Sequence, residues 1–456
     1  MTKIVYWNIN KFGANKVQDS KYVTHSATRL MYIEYILAAN MPDIFVIVEV
    51  CAGRQGEGRD GRLNDNGGAQ GAIDLLDYFR SRFGDHWCLV PTLYTGTRGY
   101  EESVAVFYNS TNLMFVGPDV WDGQQAVTPT PENRQKATAY TDTMWEGTLP
   151  NNEITVVCPT QGLNESQVAG KVTWINNENE EAMYVDFPNP ENRKPLLTQF
   201  YDRNADRMIR VFSVHTSPGA LTAGEGVDQM NNIEEIFMES PANTVDVIVG
   251  DFNVDTFNAF DLPNEENPYY HLMKHNEFVM AFPPFLTEDA ANLDNIATDD
   301  DLIPYRLTHL LSCNWEKLSG KATPFNAEGA AEDDATHNVP PRLGYMGNTG
   351  GKNYQVPNSS GAIDNIFTRY GAAAGGPAKK PTIINTTVGS PYANEPDVER
   401  DRGFKYKVTL ANKLPDIGYK DTGTAQSKRM LKQFRDWNNY GEIYNTSDHV
   451  PLIIDI

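Results

Sequence analysis

The sequence predicts an α/β protein, a mixed-sheet sandwich with long loops inserted, and three observations carry that prediction. Short apolar runs typical of buried strands, such as DIFVIVEV at 43–50 and VDVIVGDF at 245–252, alternate with stretches of helical spacing. Polar residues stand at the ends of these runs repeatedly. The 27 Pro and 35 Gly imply many loops around the scaffold.

Taken in order, KIVYWNI at 3–9 reads as a strand. YVTHSATRLMYIEYILAAN follows with helical spacing through Leu30, Ile33, Tyr35 and Leu37 until Pro42 stops it. DIFVIVEV is a buried strand, and AIDLLDYFRSRF reads as a helix closed by Gly84. HWCLVPTLY and SVAVFY are strands. Further on, RMIRVFSVH and VDVIVGDF are strands flanking one crossing helix, VDQMNNIEEIFME. GAIDNIFT at 361–368, a helix near AQSKRMLKQFRDW and the terminal VPLIIDI complete the set. Segments near 122–195, 255–360 and 371–422 lack periodicity and read as insertions into a single domain spanning 1–456.

Composition narrows the function. A formal charge of -22 argues against a protein that coats nucleic acid, because counterion release needs a Lys/Arg surface. An acidic enzyme can still handle phosphodiesters when a metal supplies positive charge, with cation-dependent and salt-sensitive binding expected. Cys51, Cys88, Cys158 and Cys313 form no CxxC, which disfavours zinc and leaves disulfides open. ATDDDLIP at 297–304 and AAEDDAT at 330–336 lack EF-hand spacing and read as solvated acidic loops. MTKIVYWNIN has no basic n-region or apolar core, and no run approaches spanning length. The default expectation is the cytoplasm without membrane insertion, with secretion left open; protein partners are unspecified.

The strand ends carry the chemistry. Asn8 follows KIVYW, Glu49 follows DIFVIV, and His215 follows IRVFSV. Asp251 and Asn253 follow VDVIVG, Asp364 sits in GAIDNIF, and Asp448 and His449 precede VPLIIDI. Each has a plain alternative: a turn residue for Asn8 or Asp448, an edge residue for Glu49, a hydrogen-bonded core histidine for His215. Gly250 reads as the break that ends its strand and aims Asp251 and Asn253, while Asp255 reads as loop. A hard cation such as Mg²⁺ takes carboxylate, amide and water oxygens, which suits Glu49, Asn8 and Asp448. Two histidines with carboxylates to orient them supply a base and an acid. Together these are the parts of phosphate-ester hydrolysis.

WNINKFG, DIFVIVEV, YEESVAVFY, FSVHTSPG, GDFNVD, GAIDNIFT and TSDHVPL, in this order, resemble the endonuclease/exonuclease/phosphatase superfamily, most closely its deoxyribonuclease-I-like branch. The resemblance implies a four-layer sandwich of two packed mixed β-sheets flanked by helices, with the site at one sheet edge. It implies Glu49 as the metal glutamate with Asn8 and Asp448 beside it, and Asp251 and Asn253 as the pair that orients nucleophile and phosphate. It also pairs His449 with Asp364 and His215 with Glu102. Mg²⁺ is the cofactor it implies, with Mn²⁺ or Ca²⁺ as supporting ions.

Within the superfamily, the pairing of His215 with Glu102 fits nonspecific nucleases and, less closely, sphingomyelinases. Inositol-phosphatase signatures are absent, and GAIDNI lacks the arginine usual after the aspartate. Asn10 and Cys51 stand where deoxyribonuclease I has groove-entering arginines, with Lys11 and Arg54 nearby. Tyr100 matches a DNA-contacting tyrosine, and Asn10 is the second expected substrate contact. The expected function is a metal-dependent, sequence-nonspecific DNA endonuclease. The alternative is a phosphodiesterase of sphingomyelinase or phosphoinositide type acting on lipid or small-molecule phosphate.

Overall fold

The computed structural model describes residues 1–17, most of 30–51, 68–90, 94–95, 102–115, 193–285 apart from 194, 219 and 232, single positions 293, 298 and 306, 308–309, 361–376, 381–385, 390–392 and 447–456. Fourteen strands are defined among these. They are β1 (Lys3–Phe12), β2 (Ile44–Cys51), β3 (Trp87–Val90), β4 (Tyr94–Thr95), β5 (Glu102–Asn109), β6 (Leu113–Phe115) and β7 (Leu196–Asp202). After them come β8 (Arg207–His215), β9 (Thr244–Asp251), β10 (Val279–Met280), β11 (Asp364–Tyr370), β12 (Thr382–Asn385), β13 (Ser390–Tyr392) and β14 (Leu452–Asp455). The helices are α1 (Ala14–Val17), α2 (Gly68–Phe83), α3 (Ala220–Met230), α4 (Glu234–Phe237), α5 (Thr256–Phe260) and α6 (Tyr270–Lys274). No helix among the described residues is long and apolar enough to cross a membrane.

The strands form two mixed sheets. The first has eight, ordered β13-β12-β14-β1-β2-β5-β3 with β4 also on β5. The second has six, ordered β10-β11-β9-β8-β7-β6. Alternation along each strand assigns the faces. Val245, Val247 and Val249 of β9 join the core shared with the first sheet, whereas Ile248 packs with Val227, Met230 and Ile236 of the helical layer. On the first sheet, Phe45 and Phe107 meet Phe79 of α2, and Tyr108 meets Phe200 of β7 across the gap. The layers therefore run helix, sheet, sheet, helix, the α/β four-layer sandwich with long insertions that was expected.

Several elements differ from the sequence reading. β1 extends to Phe12, and the crossing helix is two helices, α3 starting early at Ala220 and α4 set off by a turn at Asn231. The stretch 255–360 opens with ordered structure: α5, α6 and β10, the last pairing with β11. Likewise 371–422 contains β12 and β13, which extend the first sheet from β14. The helix expected near AQSKRMLKQFRDW and both acidic runs, apart from Thr298, lie outside the described residues.

Candidate active site

Two registers in the second sheet build the site's floor. β8 and β9 run parallel with His215 opposite Asp251, and β9 and β11 run antiparallel with Asp251 opposite Asp364. The three side chains share the parity of Val249 and Ile366, so they face the first sheet. From that sheet Tyr6 and Asn8, two apart on β1, reach across. The Tyr6 hydroxyl donates to Asp364 Oδ1 at 2.8 Å and Asn8 Nδ2 to Asp251 Oδ2 at 3.0 Å.

Gly250 is not a break. β9 runs through it to Asp251, and a Cβ there would lie 2.2 Å from the Val214 carbonyl oxygen of β8. The glycine is needed for close strand approach, which corrects the turn reading. The chain bends only afterwards: Asp251 Oδ1 accepts the Asn253 N–H at 2.9 Å, and Asn253 sits at φ 49° with its amide donating to the Thr216 carbonyl at 2.9 Å. Asp255 also proves more than loop. Its Oδ1 caps α5 at the Phe257 and Asn258 N–H groups, and its Oδ2 accepts from Gly361 and Ala362 at 2.7 and 3.1 Å.

Both histidines are oriented as the resemblance implied. His449 Nδ1 faces Asp364 Oδ2 at 2.7 Å, and His215 Nδ1 makes a short contact with Glu102 Oε2. Their other nitrogens converge: His215 Nε2 and His449 Nε2 each lie 3.6 Å from Asp251 Oδ2. Burial opposes the His449 charge, but Asp364 and Asp251 outweigh it and push its pKa up to about 10. For His215, burial is likewise overcome by Glu102, so its pKa is raised. Burial raises Asp251 against the pull of His449.

Glu49 arrives by an irregularity. Between Ile47 and Val50 the β2–β5 register shifts, and Glu49 takes φ 60°. Regular alternation would send it outward with Phe45; the bulge turns it instead to the side where His215, Glu102, His449 and Asp448 lie within electrostatic reach. Burial raises its pKa, and it makes no hydrogen bond to any described residue.

The donors left over suit a hard dication. Asn8 Oδ1 and Asp448 Oδ1 are buried and have no hydrogen-bond partner among the described residues. With Glu49 they offer amide and carboxylate oxygens from three strands or strand ends, the donor set Mg²⁺, Mn²⁺ or Ca²⁺ takes. His449 closes a second cluster with Asp251 and Asp364, but as an imidazolium it has no lone pair for a metal. Burial works against the Asp448 charge, yet His309 beside it, His449 and the Asn10 hydrogen bond lower its pKa to about 2. Asn10, expected at the substrate, donates Nδ2 to Asp448 Oδ2 at 2.8 Å. Tyr100 lies outside the described residues.

Some participants escaped the sequence reading. Arg193, in NRKP, pairs with Glu102 Oε1 at 2.9 Å and donates to the His215 carbonyl at 3.2 Å, so it fixes the strand end and the carboxylate together. Tyr6 was legible only as part of an apolar strand, although its spacing from Asn8 was the available signal. His309 has no such signal; it reaches the site from a distant segment.

No protein-family model matches the chain, and no curated protein sequence matches it. The solved structures it is similar to include members of the endonuclease/exonuclease/phosphatase family. One is the family protein from Leptotrichia buccalis C-1013-b, 9% identical, covering 100% of this chain and 99% of that one, TM-score 0.40. Others are the human Nocturnin catalytic domain with bound sulfate (11%, 100% and 93%, TM-score 0.37) and D. rerio TDP2 complexed with single-strand DNA product (11%, 99% and 97%, TM-score 0.35). At these scores the fold rests on the strand order and registers given above.

Proposed function

We propose that the chain is a divalent-cation-dependent phosphodiester hydrolase, and that its substrate is DNA cut without sequence preference. The observation that carries the hydrolase reading is the convergence of two carboxylate-backed imidazoles on one oxygen of Asp251, 3.6 Å from each. Burial raises the proton affinity of Asp251, making it a stronger base than an exposed carboxylate. It holds the water that attacks phosphorus and takes its proton, while the bond to the leaving oxygen breaks. His449, kept charged by Asp364, donates to a phosphate oxygen in the transition state. His215, its charge supported by Glu102, delivers the proton to the leaving oxygen. Glu49, Asn8 and Asp448 are the residues that would hold a dication, which when bound would supply positive charge at the phosphate.

The endonuclease assignment rests on the His215–Glu102 pair, with Tyr100 and Asn10 as substrate contacts. A second reading, hydrolysis of lipid or small-molecule phosphodiesters, is favoured by the -22 charge and by Asn10 and Cys51 standing where deoxyribonuclease I has groove arginines. Supercoiled plasmid incubated with Mg²⁺ or Mn²⁺ tests the first. The expected result is nicking that His215→Ala lowers by roughly 10²–10⁴-fold; choline or inositol phosphate release without nicking would select the second.

A further inference from the structure

We infer that His309 is a ligand of the catalytic cation, so that the pocket holds a mixed imidazole–oxygen site for a transition-metal dication such as Mn²⁺ in preference to Mg²⁺. This rests on the hydrolase reading of the site, but not on the identity of the substrate.

The backbone at 308–309 is fixed on two sides. The Thr308 and His309 N–H groups donate to the Gly361 carbonyl at 3.1 and 3.0 Å, and the Thr308 carbonyl accepts from Val450 at 2.9 Å. An antiparallel bridge therefore sets His309 opposite His449, and their rings meet edge to face with centroids 4.7 Å apart. This brings His309 Nε2 to 3.7 Å from Asp448 Oδ2. Ligand atoms of one ion, each about 2.1 Å from it, lie roughly 3 Å apart when adjacent and about 4.2 Å when opposite. The observed separation falls within that interval.

The second observation is the orphaned oxygen. Asp448 is 8% exposed, and its Oδ2 is held by Asn10 while Oδ1 has no hydrogen-bond partner among the described residues. Asn8, fully buried, leaves its Oδ1 in the same condition. Asp448 thus brings an unsatisfied buried oxygen to the same carboxyl group that His309 Nε2 approaches, so an imidazole nitrogen joins the oxygen donors at this end of the site. Imidazole suits borderline first-row metals, whereas Mg²⁺ prefers oxygen ligands and retained waters.

The test is pulsed electron paramagnetic resonance of the full chain loaded with Mn²⁺, together with competition between Mn²⁺ and Mg²⁺ followed by calorimetry. The expected result is nitrogen modulation from a directly bound imidazole in the wild type, lost in His309→Gln. The preference for Mn²⁺ over Mg²⁺ should fall about 10- to 100-fold in that variant. A wild-type spectrum without bound nitrogen overturns the inference without any variant, as does nitrogen persisting after the substitution or an unchanged preference. The two readings separate cleanly: nitrogen-coupled Mn²⁺ without phosphodiesterase activity sinks the proposed function alone, and activity without coupled nitrogen sinks this inference alone.

Discussion

His449 shows how much of the site depends on one neighbour. Its imidazole is buried, and Asp364 is the largest influence that keeps it charged, raising the pKa from 6.5 to about 10. A raised folded-state pKa contributes stability that is fully present below the unfolded value and lost as pH climbs through the folded one. The wild type should therefore lose thermal stability between neutral pH and about 10 more steeply than Asp364→Asn, whose histidine lacks that support. The same variant should lose roughly 10²–10⁴-fold in turnover while melting cooperatively at neutral pH. Parallel slopes in the two melting series would remove Asp364 from its assigned role. Asp448 works at the opposite end of the scale. With its pKa lowered to about 2, its contribution is present across neutral pH and fades only as pH falls through that value.

At the scale of the element, what matters is how strands deliver side chains. The polar residues bordering apolar runs, Asn8, His215, Asp251 and Asp448, could be read directly, because their repetition at one run after another stands out against a buried strand. The identity of the partner strands could not, since pairing joins positions such as Asp364 and Asp251 across more than a hundred residues. Nor could Glu49: period-two alternation sends it to the helical face, and only a bulge at φ 60° returns it to the site. Holding a non-glycine residue there costs of order 1–3 kcal/mol, which the surrounding pairing must offset. Gly250 makes the complementary point. Gly250→Ala puts a methyl 2.2 Å from the Val214 carbonyl, so β8 and β9 must separate. We expect a loss of about 1–3 kcal/mol in denaturant unfolding, and a larger proportional loss of activity because His215 and Asp251 part. A variant with native stability and turnover would contradict the close approach.

Across the whole molecule, the second sheet presents opposite chemistry on its two faces. Five residues before Asp251 on β9, and therefore on the other face, Asp246 is fully buried against the helical layer. It accepts from Arg210 at 2.6 and 2.9 Å and from Arg369 at 3.1 and 2.7 Å, while Arg369 also donates to the Ile236, Asn276 and Glu235 carbonyls. The same strands thus carry the candidate catalytic row inward and an ion cluster outward. Asp246→Ala leaves two buried guanidinium groups without their shared anion. The expected cost is about 3–5 kcal/mol in urea unfolding, with kcat of the folded fraction near the wild-type value. This cluster was invisible in the sequence, where Asp246 merely interrupts an apolar strand.

Asp255 joins the two scales. One of its oxygens holds the start of α5 and the other holds the backbone at Gly361 and Ala362, so the segment after Asp251 and the segment before Asp364 are clasped by a single carboxylate. Between those points the chain lays down the short helices α5 and α6 and the strand β10, whose Tyr269, Leu272 and Met280 are buried beside Ile248 of β9, and it also supplies Thr308 and His309 beside His449. A single substitution at Asp255 should therefore loosen the approaches to Asp251 and to Asp364 together.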